Sequence, residues 1–392
     1  MKKILFLSYT ASLGGGELCL LDMVVGMAQN YGAQVMVVLL SDGPLRHKLE
    51  QLGIPVQVLA AAQSLGAVKT NSVWSSVWAL RGVIDSGRSI AKLSQAYDLI
   101  HANNLKAFVI AAVARLWGGA PVVWHLHDIL TANIFGKLNR TIAVTLANWF
   151  ASRVIVNSQA TGAAFTQVGG NSHKVQVVYN GFSAAPFAPI TPEMVAQSRA
   201  DLGLAPTDFV VGMFSRISPW KGQHILLAAA AQLSHLENLR LLFVGEALFG
   251  ETAYADQLKQ TATASGISHR VQWLGFRSDI PLLMQTCDVI VHGSTEPEPF
   301  GRVIVEAQLA QRPVIATAAG GALEIITNGV DGLLVAPKDV VGLAQGLQQI
   351  YDDPDLKQAL VTAGYANALT KFGLPQVLAS FNQALDLTEL PD

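Results

Sequence analysis

Cysteine is nearly absent: Cys19 and Cys287 are the only two among 392 residues. So few imply neither a disulfide framework nor a zinc site, and a reducing cytosol is the expected setting. Charge is sparse as well. Asp, Glu, Lys and Arg make up 14% of the chain and hydrophobic residues 51%, which argues against disorder and suits buried parallel sheets. Long apolar runs are missing too. The most apolar stretch, residues 107–114, is bounded by Lys106 and Arg115, so no transmembrane helix is expected. Met1-Lys2-Lys3 leads straight into ILFLS, too short an apolar run for a signal sequence. Repeats and low-complexity tracts do not occur.

What is present is an alternation. Short apolar runs stand at 4–8, 35–40, 56–59, 98–101, 122–126 and 154–157, separated by helical lengths. A second series follows at 209–214, 239–244, 271–274, 289–291 and 314–316. Strands alternating with helices predict doubly wound parallel sheets, and the length suits two domains. The Ala- and Pro-rich stretch 183–207 reads as the linker. The net charge of −2 conceals an asymmetry: residues 1–185 hold 14 Lys and Arg against 7 Asp and Glu, and the remainder 12 against 21. A basic front half suits an anionic membrane or a phosphate-bearing acceptor; charge drifting between domains accounts for it equally. Residues 72–94 carry Trp74, Trp78, Arg81, Arg88 and Lys92 at helical spacing. An interfacial helix uses that combination, and so does a surface helix that tucks its tryptophans into a core.

Several groups of residues carry candidate chemistry. Gly14-Gly15-Gly16-Glu17 lies between the first strand and a helix, where glycines let backbone N–H groups approach a phosphate. A nicotinamide-binding fold with Asp42 as the ribose acid competes, but Cys19 stands where the third glycine belongs. His125 and His127 share a strand face and suit a metal, although no third ligand at motif spacing is visible; buried, hydrogen-bonded histidines fit the same pattern. Arg216 and Lys221, on the loop after 209–214, are placed to clamp a diphosphate, although loop cations are usually solvated. Glu298 precedes Pro299-Phe300-Gly301, with proline where a first helical residue tolerates it. Glu306 shares a helix face with Val303 and Ala310. A mostly helical path puts the two glutamates roughly 12 Å apart, which suits two ends of one extended ligand. A helix cap plus a half-exposed glutamate is the plainer account.

Glu298-Pro-Phe-Gly, Glu306, Pro313-Val-Ile-Ala-Thr, then Gly320-Gly321 and Glu324 together resemble the E-x7-E region of retaining family 4 glycosyltransferases. Gly14-Gly15-x-Glu17 is similar to that family's GGxE loop, and Arg216 through Lys221-Gly222 to its R-x(4–5)-K-G motif. Asp98-Leu-Ile-His101-Ala-Asn103 is similar to one of its strand ends. The likeness covers nearly the whole chain. It implies the GT-B fold, two Rossmann-like parallel-sheet domains facing a cleft, with domains at 1–185 and 186–371. A last helix, from about 372 to 392, would return to the first domain.

The resemblance also implies a reaction: retaining transfer of a hexose from a nucleoside diphosphate sugar, UDP favoured, to an acceptor hydroxyl. The acceptor would be a sugar or lipid-linked sugar in surface polysaccharide or glycolipid assembly. His127 would lie near the transferred sugar, Arg216 and Lys221 would neutralise the departing diphosphate, and Glu298 would hold donor-sugar hydroxyls. Glu306 would accept the ribose hydroxyls, with Gly14, Gly15, Gly16, Gly245, Gly275, Phe276, Phe300, Gly301 and Arg302 completing the donor site. No cofactor and no metal is required, and Asp353-Pro-Asp355 reads as a helix-capping cluster. A cytoplasmic enzyme with peripheral contact to an anionic inner membrane face is expected, with no nucleic-acid partner. A nucleotide-sugar epimerase of the same architecture, or a catalytically silent sugar-nucleotide binder, are the rival readings.

Overall fold

The computed structural model describes residues 1–59, 73–130, 136–248 and 250–387, with only the helical backbone given for 73–80. The tryptophans Trp74 and Trp78, on which an interfacial helix depends, lie outside the described side chains. Two compact units divide the chain: Met1–Gly181 with Leu374–Asp392, and Phe182–Gly373.

The first unit holds seven strands: β1 (Lys3–Ser8), β2 (Gln34–Leu39), β3 (Val56–Val58), β4 (Leu99–Ala102), β5 (Val122–Leu126), β6 (Ala151–Val156) and β7 (Val175–Val177). Their order is β3-β2-β1-β4-β5-β6-β7, and every pairing is parallel. Parallel strands need helical crossovers, which cover both sheet faces and demand apolar residues on each. In β1, Ile4 and Phe6 enter one core with Leu20, Met23 and Met27 of the helix Gly15–Tyr31. Leu5 and Leu7 enter the other, with Phe108, Phe165 and Trp124. There the Phe108 and Trp124 rings stack with centroids 4.5 Å apart. The returning helix Leu374–Ala384 completes the first of these cores with Val377, Leu378 and Phe381. It is tied at its end by Lys2 Nζ and Arg153 Nη1, which donate to the carbonyls of Asn382 (2.8 Å) and Ala384 (2.9 Å).

The second unit repeats the plan with six strands: β8 (Phe209–Phe214), β9 (Leu239–Val244), β10 (Val271–Gly275), β11 (Val289–His292), β12 (Val314–Thr317) and β13 (Leu333–Val335). The order is β10-β9-β8-β11-β12-β13, again all parallel. The stretch 183–207 is not a free linker. It lies within this unit, and its helix Pro192–Asp201 is anchored by Arg199 Nη2 to Asp288 Oδ2 at 2.7 Å and by Thr286 Oγ1 to Ser198 Oγ at 2.8 Å. The exchange between units falls earlier, where the Phe182 N–H donates to the Phe372 carbonyl at 2.9 Å.

Each sheet reverses its strand order once, between β1 and β4 and between β8 and β11. Loops leaving the carboxyl ends of those strands diverge there and leave room for a ligand. Among the described residues, no helix is long and apolar enough to cross a membrane.

Candidate active site

In the second unit, the two loops flanking the reversal point meet. The loop after β8 carries Arg216 and a tight turn, Pro219–Lys221, ended by Gly222. Gly222 has φ +80, and a Cβ on it would run into the Gly293 carbonyl of the loop after β11. Only glycine permits that approach. The Thr295 N–H closes the contact on the Trp220 carbonyl at 2.7 Å.

This strapping delivers Lys221 to Glu298. Lys221 Nζ lies 2.5 Å from Glu298 Oε1 and 4.1 Å from the Trp220 ring centre. The second carboxylate oxygen, Oε2, accepts from Ser294 Oγ at 2.7 Å and pairs with His292 Nε2. The Lys221 and Glu298 side chains are 14% and 15% exposed. Burial pushes the Glu298 carboxyl up, but Lys221 and His292 outweigh it and hold the group well below the ordinary carboxylate range. Glu298 is therefore an ionised carboxylate with both oxygens partnered, and not a helix cap. The helix begins only at Arg302, because Gly301 adopts φ +96 and turns the chain before it. Behind Glu298, Gly320 at φ +62 forms a bridge to it; a Cβ there would strike the Glu298 backbone, and the Gly321 N–H donates to the Glu298 carbonyl at 2.8 Å.

The other expected donor residues of this unit fall into four groups. Glu306, partly exposed, sits 3.4 Å from Arg302 Nη2 on the same helix. Arg302 lies with its guanidinium 4.5 Å from the Phe182 ring centre, and its Nη1 is buried without a hydrogen-bond partner, a donor suited to an anion. Gly245 and Gly275 are joined by an N–H to carbonyl bond of 2.8 Å that ties the ends of β9 and β10. Phe276, next to Gly275, is 74% exposed, an aromatic face open for stacking. Phe300 is 2% exposed, stacked at 6.1 Å on Phe182 and edge-on at 5.6 Å to Phe372, so its ring is part of the packing of the unit. Arg216 is half-buried at the strand end, and its carbonyl accepts from Gln223 Nε2 at 2.8 Å. His292 and Ser294 escaped the sequence reading; a histidine closing a buried strand just before the glutamate's loop is the signal that could have found the first of them.

The first unit gathers its own polar group at the carboxyl ends of β1, β4 and β5. Gly14 starts the helix Gly15–Tyr31. The Gly16 carbonyl accepts from Asn103 Nδ2 at 3.1 Å, and Asn103 Oδ1 in turn lies 3.0 Å from His127 Nε2. Behind it His101 Nε2 and His125 Nδ1 are 3.2 Å apart, and the two rings have centroids 5.3 and 6.1 Å from that of Phe381. Burial, aided by the charge of neighbouring His127, pushes His101 down to about 3 and holds His125 well below its usual range. Both imidazoles are neutral at pH 7. Burial also raises the carboxyls of Glu17 and Asp128. Asp353 accepts the Leu356 N–H at 2.9 Å, so the Asp353-Pro-Asp355 pair does cap a helix, Pro354–Phe372. Asp42 is paired with Arg46 at 3.0 Å.

A buried Lys221–Glu298 pair stands at the reversal point of a doubly wound parallel sheet. The chain belongs to the group 1 glycosyl transferases: residues 195–367 match the family described as "Glycosyl transferases group 1" and residues 14–181 the "Glycosyl transferase 4-like domain". Its fold is GT-B. Among relatives, the chain is 27% identical over 283 residues to the putative glycosyltransferase EpsD of Bacillus subtilis, covering 70% of this chain and 72% of that one. It is 29% identical over 310 residues to a D-inositol 3-phosphate glycosyltransferase of Catenulispora acidiphila, covering 74% and 73%. Among solved structures, Anabaena HepE in complex with UDP-glucose is 40% identical, with a TM-score of 0.86 and coverage of 98% of this chain and 99% of that one. The epimerase and nicotinamide readings give way to this membership.

Proposed function

We propose that this glycosyltransferase moves a hexose from a UDP-hexose to an acceptor hydroxyl, with retention of anomeric configuration and without a metal. The observation that carries the reading is the buried Lys221–Glu298–His292 cluster at the reversal point between β8 and β11. HepE, alike along the whole chain, has been solved with UDP-glucose, which favours UDP over other nucleoside diphosphates. Lys221, with Arg216 on the same loop, neutralises the charge that builds on the departing diphosphate. Such a fixed donor acts more strongly on the transition state than on the ground state. Glu298 works chiefly through Lys221, holding the ammonium in place, and its remaining lone pairs face sugar hydroxyls. Glu306 accepts the ribose hydroxyls, the Phe276 ring stacks on the base, and His127 lies by the transferred sugar. Same-face attack with a donor phosphate oxygen taking the acceptor proton asks for no protein nucleophile. The family resemblance suits surface polysaccharide assembly at the cytoplasmic face, and the basic residues of the first unit suit peripheral contact with an anionic membrane.

Incubating the protein with UDP-, GDP- and ADP-hexoses and lipid-linked acceptors tests the reading, with the anomeric linkage read by NMR. Product from UDP-hexose with the donor's configuration, in the presence of EDTA, is expected. Inverted linkage, or activity restored only by Mg²⁺ or Mn²⁺, overturns the corresponding part. Donor binding with no transfer to any acceptor favours the silent-binder reading.

A further inference from the structure

His125 and His127 share a strand face but have no third metal ligand at motif spacing. The fold supplies one from the first helix. Cys19 Sγ and one ring nitrogen from each histidine all lie within 4.8 Å of one another. Ligand atoms around a tetrahedral ion sit roughly 3.3–4 Å apart, so small side-chain rotations close the group. Cys19 and His125 are each 1% exposed, and half-buried His127 forms the side open to an entering ion. His125 Nε2 is buried with no hydrogen-bond partner. A buried nitrogen left in that state is unfavourable and points to a missing ligand.

The outer partners fit as well. Asn103 commits its amide nitrogen to the Gly16 carbonyl, so its Oδ1 faces His127 Nε2 as an acceptor. His125 Nδ1 is held by His101 Nε2 at 3.2 Å. Each imidazole thus has one nitrogen fastened from outside, the arrangement that orients histidines around an ion.

We propose that Cys19, His125 and His127 form a site for a soft divalent cation of the zinc class, with one coordination position left to solvent. A thiolate and two imidazoles select such an ion over Mg²⁺ or Ca²⁺. Binding exchanges the Cys19 thiol proton for the metal and releases that proton to water, with no change of oxidation state. The ion is an inhibitor and not a cofactor, because it takes the ring of His127; this consequence rests on the placement of His127 beside the transferred sugar.

Cobalt(II) added to the full-length, metal-free protein is the probe. The expected result is a thiolate-to-cobalt charge-transfer band in the near ultraviolet, displaced by Zn²⁺. Cys19→Ser, with Cys19→Ala as a second variant should serine impair folding, is expected to lose the band. Zn²⁺ affinity should drop by at least the about 10–100-fold that losing an outer-shell partner costs. A wild-type protein without the band, or a band that survives loss of Cys19, overturns the site. Turnover with Zn²⁺ relative to turnover without it should fall in the wild type and hold in Cys19→Ser. A cobalt band without such inhibition upholds the metal site and overturns instead the placement of His127 at the sugar.

Discussion

The two units are built alike and polarised differently. At its reversal point the second unit buries a paired charge, Lys221 against Glu298, with His292 and Ser294 completing the shell. At the corresponding strand ends, the first unit buries neutral imidazoles whose protonation its packing suppresses. The contrast shows one fold serving two electrostatic purposes. The second unit keeps Lys221 and Glu298 prepaired and oriented; the first, with aromatic rings against its histidines, keeps His101 and His125 uncharged.

The sharpest way to break this comparison is to remove the paired cation. Lys221→Ala should lower turnover by about 100-fold or more, as losing a preorganised transition-state donor does. It should also destabilise the second unit by about 3 kcal/mol, the low end for breaking a buried ion pair, since both partners keep some contact with water. Turnover by a coupled UDP-release assay and a thermal melt check both. Unchanged values in both would reduce the pair to an incidental surface contact.

Acid should separate the units in order. A folded-state pKa lowered from 6.5 to about 3 means that His101 stabilises fully above pH 6.5. As pH falls below that value the unfolded chain binds a proton the folded one refuses, at a loss of about 1.4 kcal/mol per pH unit for each such histidine. His125 acts in the same direction. Glu298, also lowered, keeps its contribution until pH falls below 4.5. Hydrogen exchange between pH 7 and pH 5 should therefore show the amides of the first unit losing protection before those around Glu298. His101→Gln should flatten that slope. The reverse order of loss would contradict the electrostatic contrast.

Smaller effects refine the second unit. Glu306→Gln should weaken UDP binding about tenfold, the worth of a charge-assisted hydrogen bond. Phe276→Ala should weaken it about fivefold, the low end for losing an aromatic stacking face, with no change in melting temperature. Titration calorimetry with UDP alone measures both. A larger loss for Phe276→Ala than for Glu306→Gln would move recognition from the ribose to the base.

Much of this was legible in the sequence because it is local. Strands buried on both faces read as continuous apolar runs, and β1, β5, β8 and β11 fall where those runs stand. The glutamate spacing and the Lys221-Gly222 pair are local signals too. What pairs with what is not local. The bond from Lys221 to Glu298 joins loops that follow different strands, so the sequence shows Glu298 as a ligand or cap candidate but not its partner, and Gly301 delays the helix past it. His292 carries no spacing of its own. Phe300, inside the motif, has its ring packed against Phe182 and Phe372, and a motif does not say which of its residues face inward. Cys19 lies beside His125 and His127 only because folding brings the start of the first helix to the end of β5.

The hydrogen bond from Phe182 to Phe372 has a consequence for how the molecule is made. It places entry to and exit from the second unit side by side, so that unit is an uninterrupted segment set into the first. On the ribosome, domains tend to fold as they emerge. The second unit holds all its parts once Gly373 is synthesised, while the first still lacks Val377, Leu378 and Phe381 for its core. The unit begun first is therefore finished last, and truncation before Leu374 should leave the second unit folded beside a first unit with an open hydrophobic face.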